Sequence, residues 1–283
     1  MTNKRATKTL NRRRVGAQLR RWREAAGFTS SKEAATALGW NQVNFSRIEQ
    51  GVYNTVADQV REMAALYKVT DPDLIDEVIR AAEDPHGTGW WSAYRGKVSQ
   101  ALLDFIALES EAEVIRVQHP AVIPGLLQAP GYVREMVKDE ANRDQLAAVR
   151  LARQEVLGRT DSPVEFHALI SEAALYHRFG DRPEVMKEQL HRLLEVSDRE
   201  NITMQIVPLD VPAYAAANQA MTVMEFRKPW EPILSIDDSL GGSLVEDAEK
   251  VTRLDELFFR VADVSLTAAK SRDLIKAHLE EKF

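Results

Sequence analysis

Gln42, Asn44 and Arg47 fall within six consecutive positions and carry groups that can read the edges of base pairs. A glutamine or asparagine amide both gives and takes a hydrogen bond, matching adenine N6 and N7, and an arginine fork matches guanine O6 and N7. Other chemistries have less footing. With no cysteine, thiolate nucleophiles, disulfides and cysteine zinc sites are excluded together. The six histidines, His86, His119, His167, His177, His191 and His278, show no paired ligand spacing. Glu165 and His167 would share one strand face, a weak pairing. Gly241-Gly242-Ser243 lacks the lysine and the spacing of a phosphate loop. Glu109, Glu111 and Glu113 alternate along one segment, which fits a solvated or partner-facing edge better than acid–base work. The expectation is a protein without metal, cofactor or catalytic activity.

The base-reading candidates need a short helix to present them, and the flanking residues supply its limits. Val15, Leu19, Trp22 and Ala26 recur on one stripe, predicting a helix from about Arg12 to Ala26 that stops at Gly27. Ser30 and Glu33 form a capping box for a second helix, Lys32 to Leu38. Asn41 can cap a third, Gln42 to Gln50, in which Phe45 and Ile48 face inward and Gln42, Val43, Asn44, Ser46 and Arg47 face out. Thr55 is expected to cap Val56 to Tyr67, and Asp71-Pro72 opens a fifth helix to about Ala82.

Charge agrees with this division. The chain has 283 residues and a net charge of −6, which as one figure argues against a nucleic-acid partner. Residues 1–69, however, hold 13 Lys and Arg against 5 Asp and Glu, and the remainder holds 24 against 38. No acid interrupts the nine basic residues between Met1 and Arg23, among them Arg12 and Arg13. Such an asymmetry is how a nucleic-acid footprint survives in an acidic chain.

Two helices joined by Gly39-Trp40-Asn41 make a helix-turn-helix. The run from Ala34 to Gly51, closing on Ser46-Arg47-Ile48-Glu49-Gln50-Gly51, resembles the lambda-repressor-like, Xre-type DNA-binding domain over residues 12–69. That resemblance implies that Gln42, Val43 and Arg47 face bases and Gln50 meets phosphate. Ser31, Asn41 and Asn44 are further candidate contacts, and the basic segment adds Arg12 and Arg13 as candidates for phosphate. It also implies a salt bridge between Arg23 and Glu49, a structural pair, and a packing role for Trp40. The preceding arm, too basic to fold alone, is expected to follow phosphates or enter the minor groove.

After Glu83-Asp84-Pro85-His86-Gly87-Thr88-Gly89, read as a linker, a second unit begins at Trp90-Trp91. A helical period runs from Val98 to Val117. An apolar segment broken by two prolines, Val122 to Pro130, follows, then helices at about Gly131 to Lys138 and Arg143 to Leu157. Strands are predicted at Val164 to Ile170, Ile202 to Val207, Ala220 to Phe226 and Pro232 to Ile236. Helices are predicted at Pro183 to Arg199, Leu244 to Ala262 and Ser265 to Lys282. The expected fold is mainly α, with a five-helix N-terminal helix-turn-helix domain and a smaller mixed α+β C-terminal domain. The expected boundaries are a basic arm at 1–11, the reader at 12–82, the linker at 83–89 and the second domain at 90–283.

Trp90-Trp91 with Tyr94, the segment Ile123 to Gln128, Arg153-Gln154-Glu155 and Met186 with Gln189-Leu190 resemble the WhiJ-like C-terminal domain, whose function is unknown. The resemblance implies a transcription regulator, often paired with a small acidic partner protein. Trp90, Trp91, Tyr94, Pro124, Leu126 and Leu127 are candidates for a small-molecule pocket or a partner-binding surface, and ordinary core packing explains the same cluster. The expected partners are double-stranded DNA, a second copy of the chain, and an effector or protein partner. The alternative is an antitoxin-like protein that mainly binds a small partner protein. No run approaches the roughly 18 apolar residues that cross a bilayer, and no secretory signal is read, so a cytoplasmic, nucleoid-associated protein is expected.

Overall fold

The computed structural model describes residues 9–137, 142–216, 219–236 and 242–283. Most of the expected basic arm, residues 1–8, lies outside them, as do Lys138 and Gly241. The chain forms two compact units, one of Met1–Ala107 with Arg227–Trp230 and one of Leu108–Phe226 with Glu231–Phe283.

The first unit is helical. α1 (Leu10–Ala25) buries Val15, Leu19 and Trp22, and it starts at Leu10 because the Thr9 hydroxyl accepts from the Arg12 N–H. In α2 (Ser31–Leu38) the Ser30 hydroxyl accepts from the Glu33 N–H at 3.2 Å. The Glu33 carboxylate reaches back to the Thr29 N–H at 3.0 Å, one residue beyond an ordinary capping box. α3 (Gln42–Glu49) follows a three-residue turn, then α4 (Ala57–Leu66) and α5 (Pro72–Glu83). The cap of α4 is Val56 rather than Thr55: Thr55 is buried, and the Gln59 side chain accepts from the Val56 N–H at 3.2 Å. Asp71 caps α5 as expected, accepting from the Asp73 N–H at 3.0 Å. Leu19, Ala34, Phe45, Val60, Met63 and Val78 are the fully buried core. Trp90–Tyr94 forms a short 3₁₀ turn. Trp230 belongs to this unit, donating to Glu77 at 3.1 Å and stacking under the Arg14 guanidinium.

α6 (Gln100–Glu111) ends where the helical period read across 98–117 continues. Val114–His119 is instead strand β1. The remaining elements are α7 (Pro130–Met136), α8 (Arg143–Arg153), β2 (Glu165–Ser171), α9 (Pro183–Val196), β3 (Ile202–Val207) and α10 (Ala213–Ala216), then β4 (Met221–Glu225), β5 (Ile233–Ile236), β6 (Ser243–Val245), α11 (Ala248–Asp263) and α12 (Ala268–Lys282). The four predicted strands are present, and β1 and β6 are additions. The sheet runs β3-β2-β1-β4-β5-β6. β1, β2 and β3 pair in parallel and β4 to β6 antiparallel. The parallel strands are connected through α7, α8 and α9, as parallel pairing requires. On one face Leu169, Met221, Val223 and Leu234 pack with Val251, Phe258 and Val261 of α11. Arg116, buried in central strand β1, is neutralised there by Asp255 at 2.6 Å and by Glu225.

The proline-broken segment owes its shape to glutamine side chains that take the place of a regular ladder. Gln128 donates to the Ile123 carbonyl at 2.7 Å, and Gln154 donates to the carbonyls of Gly125 and Gln128. Gln189 accepts from the Ala129 N–H at 2.7 Å and donates to the Leu127 carbonyl at 2.9 Å. Arg153 grips Glu109 with two bonds of 2.8 Å. Buried backbone polar groups are costly unless paired, so these amides allow an irregular apolar loop inside a core.

Two histidines give the second unit an acid limit. His167 bonds Gln205 at 2.7 Å and meets Phe258 edge-on, and His177 lies 3.2 Å from the Tyr132 hydroxyl. Burial holds both rings below the ordinary histidine value; for His167 Gln205 opposes the shift and Arg116 adds to it. The unfolded chain therefore takes up these protons first. Their contribution is present above the unfolded pKa of about 6.5 and is lost as pH falls toward the folded values. The melting temperature is expected to drop between pH 7.5 and 5.5, with a shallower slope in His167→Asn whatever its absolute stability.

Candidate nucleic-acid interface

α3 exists because its ends are specified. The Asn41 side-chain oxygen accepts from the N–H groups of Val43 and Asn44 at 3.0 and 3.1 Å, satisfying two donors that a helix start leaves open. Phe45 and Ile48 then point into the core. The helical period leaves Gln42, Val43, Arg47 and Gln50 on the outward side, all exposed, with Asn44 exposed at its margin. Val43 keeps 56% of its surface in solvent. Gln50 donates to the Ser46 hydroxyl at 3.0 Å. Ser31 opens α2 and is half-buried. Asn41 thus has a structural duty besides any contact with a ligand.

The pose of α3 is set by α1 through two positions seven residues apart, hence on one helical face. At Gly16 a Cβ would lie 2.6 Å from the carbonyl oxygens of Ile48 and Glu49, so the two backbones touch where α3 ends. At Arg23, Nε donates to the Glu49 carboxylate at 2.7 Å and Nη1 to the Phe28 carbonyl at 2.6 Å. The side chains of Arg23 and Glu49 are only 5% and 6% exposed, which makes this a buried ion pair, as expected. Burial still pushes the Glu49 carboxyl above the usual carboxylate range, outweighing the attraction of Arg23. Trp40 packs as expected: its ring meets Phe45 edge-on at 6.2 Å and its N–H reaches Glu62.

The turn after α3 brings the start of α1 beside it. Gly51 has φ +67°, and a Cβ there would fall 2.9 Å from the backbone of Arg12 and Arg13. Only glycine serves at such a position. Arg12 and Arg13, half-buried in the first turn of α1, are therefore neighbours of the Gln50–Gly51 end of α3. Arginines at a helix start oppose the helix dipole, which an approaching phosphate would offset.

One residue of this surface was not anticipated. Tyr53, 40% exposed, lies against Arg47: its hydroxyl accepts from Arg47 Nη1, and the guanidinium carbon sits 5.1 Å from the ring centroid. The available signal was an aromatic two residues beyond a helix-ending glycine, in a turn with no core to fill.

The remaining candidates fall apart into two sets. Trp90, Trp91 and Tyr94 belong to the first unit, where Trp90 meets the other two edge-on at 6.0 and 6.1 Å. Pro124, Leu126 and Leu127 belong to the second unit and are buried. A groove of about 500 Å³ in the second unit is bordered by Pro130, Gln154, His191 and Arg192, and its described lining includes none of the six. Among the described residues no cluster of three His, Asp or Glu could hold a metal ion. No described helix is long and apolar enough to cross a membrane.

Family models match two stretches of the chain. Residues 14–78 match a helix-turn-helix domain, and residues 102–277, more than half of the chain, match a domain of unknown function, DUF5753. No curated protein and no solved structure matches. A helix-turn-helix domain points to DNA binding and, through it, to transcription regulation.

Proposed function

We propose that this chain, which belongs to the DUF5753 family and carries a helix-turn-helix domain ahead of that module, is a sequence-specific transcription regulator. The supporting observation is the outward side of α3, where Gln42, Val43, Arg47 and Gln50 stay exposed while α1 and the core fix the helix beneath them. In this reading α3 enters the major groove, Gln42 and Arg47 address base edges, and Arg12, Arg13 and the arm before them follow phosphates. The helix-turn-helix domain is of Xre type and the module that follows it of WhiJ type, on the motifs that carry those resemblances.

Two copies bind an inverted repeat, since one helix-turn-helix reads one half-site and two-fold symmetry fixes the spacing at about one or more helical turns. The protein acts by binding rather than by catalysis, and repression by occlusion is the simplest mechanism. The second unit adjusts the spacing of the readers on receiving a small molecule or a protein partner. A melting shift with a defined small molecule supports the first input, and co-purification of a small acidic protein the second.

The test is selection of bound DNA from a random pool with the full chain, repeated for Gln42→Ala and Arg47→Ala. The parent chain should return a palindrome. Each variant should lose about 1–3 kcal/mol of preference at one base pair per half-site, with folding and non-specific affinity retained. Variants that select the same site as the parent would refute the assignment of α3.

A further inference from the structure

We propose that Tyr53 is a positioning residue for Arg47, holding its guanidinium in the orientation that forks onto a base. The inference rests on the reading of α3 as the recognition helix and adds a residue outside that helix to its specificity.

Three contacts tie the two residues together. The Tyr53 backbone N–H donates to the Arg47 carbonyl at 3.2 Å, alongside that of Val52 at 2.8 Å. The Tyr53 hydroxyl accepts from Arg47 Nη1. The guanidinium carbon lies over the tyrosine ring, 5.1 Å from its centroid. The turn at Gly51 makes this possible, because its left-handed backbone folds the chain back along α3 instead of away from it. Tyr53 is thus anchored through its main chain to the residue whose side chain it touches, which fixes ring and guanidinium in one frame.

An arginine on an exposed helix face otherwise samples many rotamers, and freezing it on contact with DNA subtracts from binding. A stacked ring and one hydrogen bond remove much of that freedom in advance. They do so without consuming the fork: a guanidinium has five N–H donors, and two suffice for guanine O6 and N7. The stabilisation available from a cation over an exposed ring is small, so the arrangement contributes little to holding the fold. Tyr53 is itself 40% exposed, so its ring lies at the surface and not in the core.

The test uses the full chain and the base preferences obtained by selection, for Tyr53→Ala, Tyr53→Phe, Arg47→Ala and the Arg47→Ala/Tyr53→Ala pair, each shown by circular dichroism to melt like the parent. Tyr53→Ala should weaken the preference about five- to tenfold, at the same base pair as Arg47→Ala and at no other. Tyr53→Phe, which keeps the ring, should fall between Tyr53→Ala and the parent. The pair should be no worse than Arg47→Ala alone, because Tyr53 acts through Arg47. An unchanged preference in Tyr53→Ala, a uniform loss at every base pair, a gain in affinity, or losses that multiply in the pair would each overturn the positioning role while leaving Arg47 as a reader. A parent chain without any preference, or an Arg47→Ala variant that keeps it, would overturn the recognition-helix reading and the role of Tyr53 with it.

Discussion

Arg23→Ala is expected to destabilise the first unit by about 3–5 kcal/mol and, through that, to abolish DNA binding to every sequence alike. The guanidinium holds three elements at once, since it joins α1 to the Glu49 carboxylate on α3 and to the Phe28 carbonyl in the α1–α2 turn. Removing it leaves a carboxylate of 6% side-chain exposure without its buried cation and a half-buried carbonyl without its donor. Glu49→Gln should be far milder, near 1 kcal/mol, because an amide oxygen can still accept from Arg23. The direction of the Glu49 shift supports that asymmetry: burial already disfavours its charged form in the folded chain. Denaturant melting followed by circular dichroism, with non-specific DNA affinity measured in parallel, checks both variants. Equal losses for the two would mean that charge pairing, not the three-way grip of Arg23, holds the helices.

The reader was legible because its signals are local. Val15, Leu19 and Trp22 on one stripe, Ser30, Asn41 and Asp71 at helix starts and Gly39 at the turn act within a few residues of themselves, and each acts where the sequence places it. The cap of α4 moved by one residue because Thr55, with the side chain suited to capping, is buried, and Gln59 reaches back to Val56 instead. Tyr53 stayed hidden for a related reason. Its contact with Arg47 depends on how the Gly51 turn folds back, which a residue list conveys only as a stop signal.

The second unit was legible where strands alternate or are flanked by turns and obscure where pairing is remote. Val114–His119 continues the period of α6 with no glycine or proline between them, so it reads as helix. Its neighbours lie far along the chain: the Glu113 N–H donates to the Glu225 carbonyl at 2.8 Å, and the Glu165 N–H to the Glu113 carbonyl at 2.9 Å. As the strand between β2 and β4 it is buried on both faces, so alternation gives no cue, and Arg116 and Gln118 make it look polar. Several residues that carry the resemblance of this unit, Gln128, Arg153, Gln154 and Gln189, bond the buried loop or the Glu109 carboxylate. They identify a scaffold rather than a ligand site.

Gly16→Ala sets two magnitudes of opposite sign against each other. Alanine in place of glycine inside a helix gains about 0.8–1.0 kcal/mol of helix propensity, so α1 alone would be firmer for the change. Against that, the new Cβ would stand 2.6 Å from the carbonyl oxygens of both Ile48 and Glu49 and 2.9 Å from the Glu49 carbonyl carbon. These are backbone atoms at the end of α3, and the Ile48 oxygen is already engaged by the Gly51 N–H at 2.9 Å, so no side-chain rotation relieves the clash. Overpacking a close-packed contact costs about 1–3 kcal/mol, and more when the neighbour cannot yield. Against an unyielding backbone the cost lies at the upper end of that range and exceeds the propensity gain, so a net loss of about 2 kcal/mol is expected. Because Glu49 is also the partner of Arg23, relief of the clash by sliding α3 away from α1 would stretch the ion pair and move Arg47 from its place on the outward face. The variant should therefore show a lower urea midpoint and weakened binding to specific and non-specific DNA together, unlike Arg47→Ala, which loses preference alone. A Gly16→Ala chain firmer than the parent by the propensity difference would show that α1 and α3 do not approach this closely in solution.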